Sequence, residues 1–573
     1  MTHLHNDPFA FKTDLIDGFA AAYARYAERV PGANGFVRAG GPRSGKVSVV
    51  VGGGSGHFPS YAGIVGRGLA DACVMGDVFT SPSSEQVYRV ARAADGGAGV
   101  VLAFGNYAGD RLNFAAAAQR LIAAGVDTRI VYVTDDLASG RADERGLRRG
   151  IAGTLVVYKV GGAAADSGCS LDEVEAAMRL ANDRTSSFGV AFGGCTLPGS
   201  SVPLFTVEPG TMEVGLGIHG EPGVRTAPMM TADALAAELV ATVLAERPAD
   251  AGGRAAVLVN GLGATKYEEL LVLYGGVHAR LVAAGVDPVL AEVGEFVTSL
   301  DMAGCSLTVT WLDGDLEALW EAPVDTASFR RGVLAPDDRP ARAVMAFDGD
   351  VGEATQASDS SVADAAVVRR ALGAMRDVAQ ANEQWLGQLD SAAGDGDHGV
   401  GMVRGCLAAC AAANASGGGA GTVLRAAGDA FGDKAGGTSG ILWGILLAAL
   451  GASLGDEAPA DASRVAVAVA DATATLRQTG KAELGDKTMV DALVPFEATL
   501  RKRVDSGATL AEAWAAGALD AVAAAEATAA LAARVGRARP LAERSVGTPD
   551  PGATSLGLIL TAVAGVLAEE AGR

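Results

Sequence analysis

The order of apolar and polar positions divides the chain into two halves of different character. In the first half, β-branched runs at 46–54 (KVSVVVGGG), 99–110 (GVVLAFGNYAGD) and 128–136 (TRIVYVTDD) predict strands, and 111–125 (RLNFAAAAQRLIAAG) predicts a helix. Strand, loop and helix in rotation are typical of a mainly parallel sheet with helices on its faces. Because ligands bind at the carboxyl ends of such strands, the loops GGGSGH and GNYAGD are candidate binding loops.

A second α/β domain is predicted, with its boundary near 190–250, because the pattern of strand, glycine loop and helix returns at 254–276. Residues 334–360 combine Pro, Asp, Ser and Gly without a sustained period, which predicts a linker. Beyond the linker, Ala-rich helical patterns fill the remaining chain. The pattern therefore predicts two α/β domains with mainly parallel sheets in 1–333 and an all-α half in 361–573.

Composition narrows the class of protein and its partners. The 573-residue chain is 49% hydrophobic and 20% charged, as expected of a soluble globular protein with several cores. Its net charge of −21 argues against nucleic acid and against an anionic membrane as the main partner, since both would repel it. The apolar run ILWGILLAAL is too short to span a bilayer and predicts a buried helix.

The cysteines point to a compartment. All six are scattered without a CxxC pair, and the N-terminal stretch has neither the basic nor the apolar region of a secretory signal. We therefore expect reduced thiols in a cytoplasmic protein.

Three aspartates of the second half crowd into one loop. The segment 389–399 (LDSAAGDGDHG) carries Asp390, Asp395 and Asp397 just after a predicted helix. Carboxylates this close repel one another, and a hard divalent cation held by their oxygens would relieve the repulsion. An Asp-Gly turn at a helix end explains the same residues without a metal, so this loop alone leaves both interpretations open.

Further polar loops precede helices in the same half. The loop 432–440 (GDKAGGTSG) puts glycines and hydroxyls at a helix N-terminus, where backbone N–H groups can bind phosphate. The loop 543–555 (ERSVGTPDPGATS) adds Arg544, and 485–493 (GDKTMVDAL) is a third loop of this kind. Together with the three aspartates, these loops predict a nucleotide site for phosphoryl transfer.

One scarce histidine lies in a glycine-rich stretch of the first half, 215–223 (GLGIHGEPG). His219 is one of six histidines in the chain. Its surroundings fit two interpretations, a structural histidine in a turn or a catalytic imidazole held close to a small ligand.

Seven of these motifs, in this order, resemble the single-chain, ATP-dependent dihydroxyacetone kinases. They are GGGSGH, GNYAGD, GLGIHGEPG, GDGDHG, GGTSG, GDKTM and ERSVG with DPGATS, and they span nearly the whole chain. The resemblance implies a ketose-binding half of two α/β domains, 1–333, and a nucleotide half, 361–573. The nucleotide half would be a barrel of eight antiparallel helices that holds ATP and two Mg²⁺ ions. The family also implies a homodimer.

The resemblance further implies which residues act on the ketose. His219 would attack the substrate carbonyl and hold the substrate as a covalent hemiaminal. Asp110 would accept the proton of the hydroxyl to be phosphorylated, and His57 would orient the substrate. The residues implied to shape the pocket are Gly53, Gly54, Ser55 and Gly56.

In the nucleotide half, the same resemblance makes Asp390, Asp395 and Asp397 the Mg²⁺ ligands. The residues implied to surround ATP are His398, Gly437, Thr438, Ser439, Met489, Arg544, Asp550 and Gly552. Catalysis by such a site is mostly alignment and neutralisation of charge.

The chain departs from the family at one position beside the substrate. Dihydroxyacetone kinases usually read Lys-Asn-Tyr there, and this chain reads Gly105, Asn106, Tyr107. Loss of the long side chain predicts a reshaped pocket in which a four-carbon ketose such as erythrulose is a substrate. If only the backbone of residue 105 contacts the ligand, dihydroxyacetone stays the substrate.

Three other activities are compatible with parts of the pattern. One is a phosphotransferase-system kinase that keeps a tightly bound ADP, although those systems split the two halves into separate chains. Another is a non-catalytic ketose-binding regulator, against which the retention of Asp110, the three metal aspartates and Arg544 argues. The third is a lyase that cyclises FAD, which the sequence neither favours nor opposes.

Overall fold

The computed structural model of the chain describes residues 4–345, 357–394, 396–536, 539 and 542–572. The chain divides into two compact units, 1–349 and 350–573. The first residues of the predicted linker pack onto the first unit, where the backbone N–H of Arg342 donates to the carbonyl oxygen of Pro42 at 2.9 Å.

The first unit alternates strands and helices. Its strands are β1 (Ala27–Arg29), β2 (Gly35–Arg38), β3 (Ser48–Ser55), β4 (Gly66–Arg67), β5 (Ala72–Val78), β6 (Val100–Gly105), β7 (Thr128–Val133), β8 (Thr185–Ala191), β9 (Thr211–Val214), β10 (Arg225–Pro228), β11 (Arg254–Gly261), β12 (Asp287–Pro288), β13 (Glu292–Gly294), β14 (Gly304–Trp311), β15 (Val324–Thr326) and β16 (Arg330–Arg331). Its helices are α1 (Phe11–Tyr23), α2 (Ser84–Ala94), α3 (Ala108–Ala123), α4 (Thr154–Asp166), α5 (Leu171–Asp183), α6 (Ala232–Leu244), α7 (Tyr267–Ala283) and α8 (Gly314–Glu321).

The first sheet has the strand order β1-β2-β5-β3-β6-β7. Strands β5, β3, β6 and β7 are parallel, as the alternating pattern predicts, and β1 and β2 add an antiparallel edge. Every residue of β3 is buried, which explains its continuous apolar run. Because β3 and β6 are neighbours, the loops that follow them lie at the same edge of the sheet.

The second sheet corrects the prediction of mainly parallel sheets. Its order is β10-β9-β8-β14-β11-β12, with β13 also paired to β11, and only the pairs of β11 with β12 and β13 are parallel. The reason lies in the connections. Helix α7 carries the chain from β11 to β12 and β13, whereas no helix separates β13 from β14. Without such a crossover, β14 returns antiparallel to β11.

The second unit is helical throughout its described residues. Its helices are α9 (Asp359–Ala381), α10 (Glu383–Asp390), α11 (His398–Ala415), α12 (Ala420–Ala435), α13 (Gly437–Leu454), α14 (Ala462–Gly480), α15 (Val490–Asp505), α16 (Leu510–Ala527), α17 (Ala542–Ser545) and α18 (Pro551–Ala571). The eight long helices pack in the order α9, α11, α12, α13, α14, α15, α16 and α18, and α18 packs back against α9.

Small residues let neighbouring helices of this ring approach closely. A Cβ on Gly428 of α12 would lie 2.7 Å from the backbone nitrogen of Ala448 in α13, so only glycine fits there. The ring surrounds an apolar cavity of about 330 Å³, whose walls include Trp443, Phe496 and Leu560. Helices α13 and α18 are long and apolar enough to span a bilayer, a test that core helices of globular proteins also pass.

Candidate active site

Two histidines meet in the first unit. His57 lies two residues beyond the end of β3, and His219 lies in the turn that follows β9. Both are buried, and their Nε2 atoms are 3.0 Å apart. The ring planes are at 81° to each other, with the centroids 4.8 Å apart. The structure thus brings together two of the three predicted catalytic residues.

The other ring nitrogens decide where the protons lie. His57 Nδ1 is 2.7 Å from the carbonyl oxygen of Thr298, and His219 Nδ1 is 3.1 Å from Oε1 of Glu221. Both oxygens are acceptors, so each Nδ1 carries a proton and donates it. The two Nε2 atoms can then approach to 3.0 Å only with one proton between them.

The surroundings of the two histidines differ in burial and charge. Burial first, and the charge of His219 second, lower the pKa of His57 to about 3, so His57 is neutral. Burial alone would raise the pKa of Glu221, but Arg149 and His219 hold it well below its usual range. Of the two rings, His219 is the one that faces a carboxylate, that of Glu221.

The glycines around His219 make room for this carboxylate. A Cβ on Gly217 would overlap both Glu221 Oε2 and Arg149 Nη1. Gly220 has a φ of +84° and lies against the ring of Phe205. The glycine-rich stretch thus folds the glutamate back beneath the histidine two residues before it.

Aromatic rings form the walls of the site. Phe79 stacks on His57, with centroids 5.0 Å apart and an interplanar angle of 22°. Tyr107 stands edge-on to His219 at 4.6 Å, and its hydroxyl donates to the carbonyl oxygen of Gly150 at 3.1 Å. These rings exclude water from the two imidazoles.

The predicted pocket glycines lie at the end of β3, where other side chains already fill the space beside them. A Cβ on Gly53 would overlap the hydroxyl of Tyr61, and a Cβ on Gly54 would lie 2.5 Å from the backbone nitrogen of Thr80. Ser55 donates its hydroxyl to the carbonyl oxygen of Gly76 at 2.6 Å. These residues therefore serve close packing of the strand.

The next residue of that loop and the predicted proton acceptor lie nearby. Gly56 has a φ of +101°, which turns the chain toward His57. Asp110 is buried in the first turn of α3, at the carboxyl end of β6. Burial raises the pKa of Tyr61, and the charge of Asp110 raises it further, which places the two side chains in the same buried region.

Gly105 ends β6 and faces Tyr107. A Cβ at position 105 would lie 3.0 Å from Cε2 of Tyr107 and 3.1 Å from the carbonyl oxygen of Gly150. The absence of a side chain therefore lets the tyrosine ring lie beside His219. The glycine in place of the usual lysine was expected to open space in the pocket. The ring of Tyr107 occupies the base of that space.

In the second unit, His398 joins three helix N-termini. It is the first residue of α11, and its Nδ1 and Nε2 are each 3.0 Å from a hydroxyl, those of Ser439 in α13 and Ser555 in α18. Burial lowers the pKa of His398, so it is neutral and donates to one hydroxyl while it accepts from the other.

Acidic side chains crowd near these helix ends. Asp390 Oδ2 accepts from the backbone N–H of Gly396 at 2.8 Å. Burial first, together with the charges of Asp390 and Asp491, raises the pKa of Asp550 to about 7. Mutual repulsion of this kind fits a site for a divalent cation.

The predicted metal ligands are only partly placed. Asp395 lies outside the described residues, and Asp397 precedes α11 at its N-cap. Among the residues that the structure describes, no group of three histidine, cysteine or carboxylate side chains has a metal-holding arrangement.

The start of α13 fits a phosphate. Gly436 and Gly437 have φ values of +63° and +60°, which turn the chain sharply into an 18-residue helix. The buried hydroxyl of Thr438 has no hydrogen-bond partner among the described residues. A phosphate oxygen would satisfy it.

A buried lysine connects the remaining loops that are predicted to bind nucleotide. Lys487 Nζ donates to the carbonyl oxygens of Leu531 at 3.0 Å and Thr548 at 2.7 Å, and also to that of Ser545. These bonds pin the segment that carries the exposed Arg544. Lys487 is therefore a structural clamp.

The last predicted nucleotide residues meet at the start of α18. Asp550 caps this helix by accepting from the backbone N–H of Ala553 at 2.7 Å. A Cβ on Gly552 would lie 3.5 Å from Cβ of Met489, a buried residue that precedes α15.

Several residues of these sites were missed by sequence reasoning. Glu221 lies two residues from His219 in the stretch GLGIHGEPG. Its closeness in sequence was therefore a signal that the two side chains could interact. Thr298, Phe79 and Arg149 come from distant parts of the chain, and no local pattern marks them.

Two family models match the chain. The Dak1 domain matches residues 17–328, and the DAK2 domain matches residues 392–565.

Curated relatives match over nearly the full length. The chain is 50% identical over 574 residues to the L-erythrulose kinase of Pectobacterium atrosepticum, covering 99% of this chain and 97% of the relative. It is 51% identical over 571 residues to the D-erythrulose kinase of Mycolicibacterium smegmatis, covering 98% of each.

A solved structure is also similar. The dihydroxyacetone kinase of C. freundii in complex with AMP-PNP and Mg²⁺ matches with a TM-score of 0.53 and 28% identity. The match covers 98% of this chain and 99% of that one.

Proposed function

The chain belongs to the dihydroxyacetone kinase family, and we propose that it transfers the γ-phosphoryl group of ATP to a short-chain ketose held on His219. The observation that carries this proposal is the buried pair of imidazoles, whose Nε2 atoms face each other at 3.0 Å. A structural histidine in a turn needs no second imidazole at its reactive nitrogen. A nucleophile that exchanges a proton with its substrate gains from an acid–base group at that nitrogen.

Capture of the ketose is a balanced addition to its carbonyl group. The shared proton moves onto Nε2 of His57, and the lone pair that this leaves on Nε2 of His219 forms a bond to the carbonyl carbon as the C=O π bond breaks. The proton that lay between the two Nε2 atoms passes to the former carbonyl oxygen, which becomes a hydroxyl. The positive charge stays on the substituted imidazolium of His219, and His57 is left neutral with a free acceptor toward the new hydroxyl.

Transfer needs a base at the other end of the ketose. Asp110, buried at the start of α3, accepts the proton of the hydroxyl that receives the phosphoryl group. The covalent tether holds this hydroxyl in place, so the transfer gains from alignment. Glycerol has no carbonyl group to attack and is excluded on that ground.

The second unit is the nucleotide half in this proposal. Asp390, Asp395 and Asp397, which lie within eight residues of the sequence, would hold Mg²⁺, and Thr438 and Ser439 at the start of α13 would bind phosphate oxygens. When bound, Mg²⁺ neutralises the charge of the phosphates. Two observations support such ligands: the buried hydroxyl of Thr438 has no hydrogen-bond partner within the described part of the unit, and the pKa of Asp550 is raised.

We propose erythrulose as the preferred ketose. The support comes from the two full-length relatives at about half identity, one named for the L and one for the D enantiomer. Gly105 marks the position where the chain departs from the usual lysine, behind the Tyr107 ring that forms the wall beside His219. We also propose a homodimer that acts in the cytoplasm, following the family resemblance and the reduced-thiol composition.

The test is a coupled assay of ATP consumption with purified full-length protein. Its substrates are D-erythrulose, L-erythrulose, dihydroxyacetone, glyceraldehyde and glycerol, each with Mg²⁺ and with EDTA. We expect Mg²⁺-dependent turnover of at least one ketose and none of glycerol. Turnover of glycerol at the ketose rate, or of no ketose at all, contradicts the proposal. Light scattering measures the assembly.

A further inference from the structure

A chain of charged side chains runs from the sheet edge to His219. Asp136, just after β7, accepts from Arg149 Nε at 2.9 Å and Nη2 at 2.8 Å. Arg149 Nη1 lies 3.6 Å from Glu221 Oε2. Glu221 in turn accepts hydrogen bonds from His219. The connected side chains therefore follow the order Asp136, Arg149, Glu221, His219.

Both oxygens of Glu221 are used on the same residue. Oε2 accepts from the backbone N–H of His219 at 3.0 Å, and Oε1 accepts from its Nδ1 at 3.1 Å. One carboxylate thus fixes the backbone position and the ring rotation of the histidine together. A carboxylate that only stabilised the turn would need the backbone bond alone.

The rest of the chain holds the carboxylate in place. Asp136 is anchored by the backbone N–H of Ala138, which donates to its Oδ1 at 3.0 Å. The backbone N–H of Arg149 donates to the hydroxyl of Ser139 at 2.9 Å. Arg149 is therefore fixed both at its backbone and at the guanidinium group that faces Glu221.

We propose that Glu221, braced by Arg149 and Asp136, is the positioning residue that makes Nε2 of His219 the nitrogen that attacks the ketose. This inference rests on the proposed function. Because Glu221 keeps the proton on Nδ1, the lone pair that becomes available on loss of the shared proton is on Nε2, facing the pocket.

Glu221 has a second effect on the captured ketose. Once Nε2 is bonded to carbon, His219 is a cation with its remaining proton on Nδ1. The carboxylate faces that proton, so it stabilises the cationic adduct more than it stabilises a neutral His219 before capture. Removing its charge should lower the rate and the extent of capture.

The first measurement follows the ring nitrogens directly and needs no turnover. Full-length protein labelled with ¹⁵N-histidine is compared with its His219→Ala variant, which assigns the His219 signals. We expect Nδ1 of His219 to be protonated in the free protein. An unprotonated Nδ1 overturns the inference, whatever the substrate of the enzyme is.

The second measurement follows capture. Dihydroxyacetone labelled with ¹³C at its carbonyl carbon reports the adduct, because this carbon changes from carbonyl to tetrahedral. In Glu221→Gln we expect kcat/KM for the ketose to fall about 10- to 100-fold, the size of one lost hydrogen bond to a charged group. KM for ATP should be unchanged, and Glu221→Asp, which keeps the charge, should recover part of the loss.

The control is Glu208→Gln, which removes the same charge from an exposed glutamate of the same unit. It should behave as wild type. Wild-type capture and ketose kcat/KM in Glu221→Gln overturn the positioning role and leave the kinase proposal standing. Absence of capture and of turnover in the wild type contradicts the proposed function itself.

Discussion

The Nε2 atoms of His57 and His219 lie 3.0 Å apart, although 162 residues separate them in the sequence. His57 follows a strand of the first sheet, and His219 follows a strand of the second. The pair therefore forms only when both sheets of the first unit are in place.

His219→Ala should abolish the covalent adduct, because no other nucleophile takes the place of its Nε2. With ¹³C-labelled ketose, we expect the tetrahedral carbon signal to disappear. His278→Ala, at an exposed position of α7, is the matched control and should keep the signal. An unchanged signal in His219→Ala would make this histidine a turn residue only.

The first unit should lose stability in acid through His57. The pKa of this histidine falls from 6.5 to about 3 on folding, mainly because it is buried. Between these values the unfolded chain binds a proton that folded His57 does not bind. The free energy of unfolding therefore falls by about 1.4 kcal/mol for each pH unit below 6.5, and above 6.5 this contribution vanishes.

Calorimetry of the full chain at about pH 6 and about pH 5 measures this loss. In His57→Gln, which does not titrate, the unfolding temperature of the first unit should depend less on pH. Equal pH dependence in the two proteins would mean that His57 is protonated in the folded state.

Lys487→Met should loosen the nucleotide loops. Methionine keeps the length of the side chain but leaves carbonyl oxygens of Leu531, Ser545 and Thr548 without their donor. Each buried unsatisfied group costs about 1–3 kcal/mol, so we expect a lower unfolding temperature and a raised KM for ATP. Ketose capture should persist. The exposed Lys502→Met is the control, and equal effects of the two changes would contradict the clamp.

The candidate functional loops could be identified from the sequence. The way the fold arranges them relative to one another could not. It identified the glycine turn around His219 and the helix-start loop around Thr438, because glycines and hydroxyls at strand and helix ends carry local signals. It missed the antiparallel direction of β14, because direction depends on whether a helix intervenes. It missed Arg149 as the brace of Glu221, because only the folded turn brings them together.

Loss of a proposed metal ligand should stop turnover in the second unit without affecting ketose capture in the first. Asp395→Ala should abolish turnover, since loss of one carboxylate leaves Mg²⁺ with fewer oxygen ligands. Capture of ¹³C-labelled ketose should remain, because it takes place on His219 of the other unit. Asp505→Ala, at the end of α15, is the charge-matched control. Equal turnover in EDTA and in Mg²⁺ would end the metal assignment.

Gly105 gives the sharpest prediction about substrate. A Cβ at this position would lie 3.0 Å from the Tyr107 ring, which itself stands 4.6 Å from the His219 ring. Even Gly105→Ala must therefore push the tyrosine by a few tenths of an ångström, and Gly105→Lys must push it further. We expect the displaced ring to move toward His219, which would reduce the space for a fourth carbon.

Wild type should accordingly use erythrulose at least as well as dihydroxyacetone by kcat/KM. Gly105→Ala and Gly105→Lys should shift the ratio of the two kcat/KM values toward the three-carbon ketose. Discrimination for one small group is typically about 10- to 200-fold. Gly18→Ala, where a Cβ meets nothing within 4 Å, should leave the ratio unchanged. A wild type that prefers dihydroxyacetone more than about tenfold, with no change in Gly105→Lys, would show that this wall does not select the substrate.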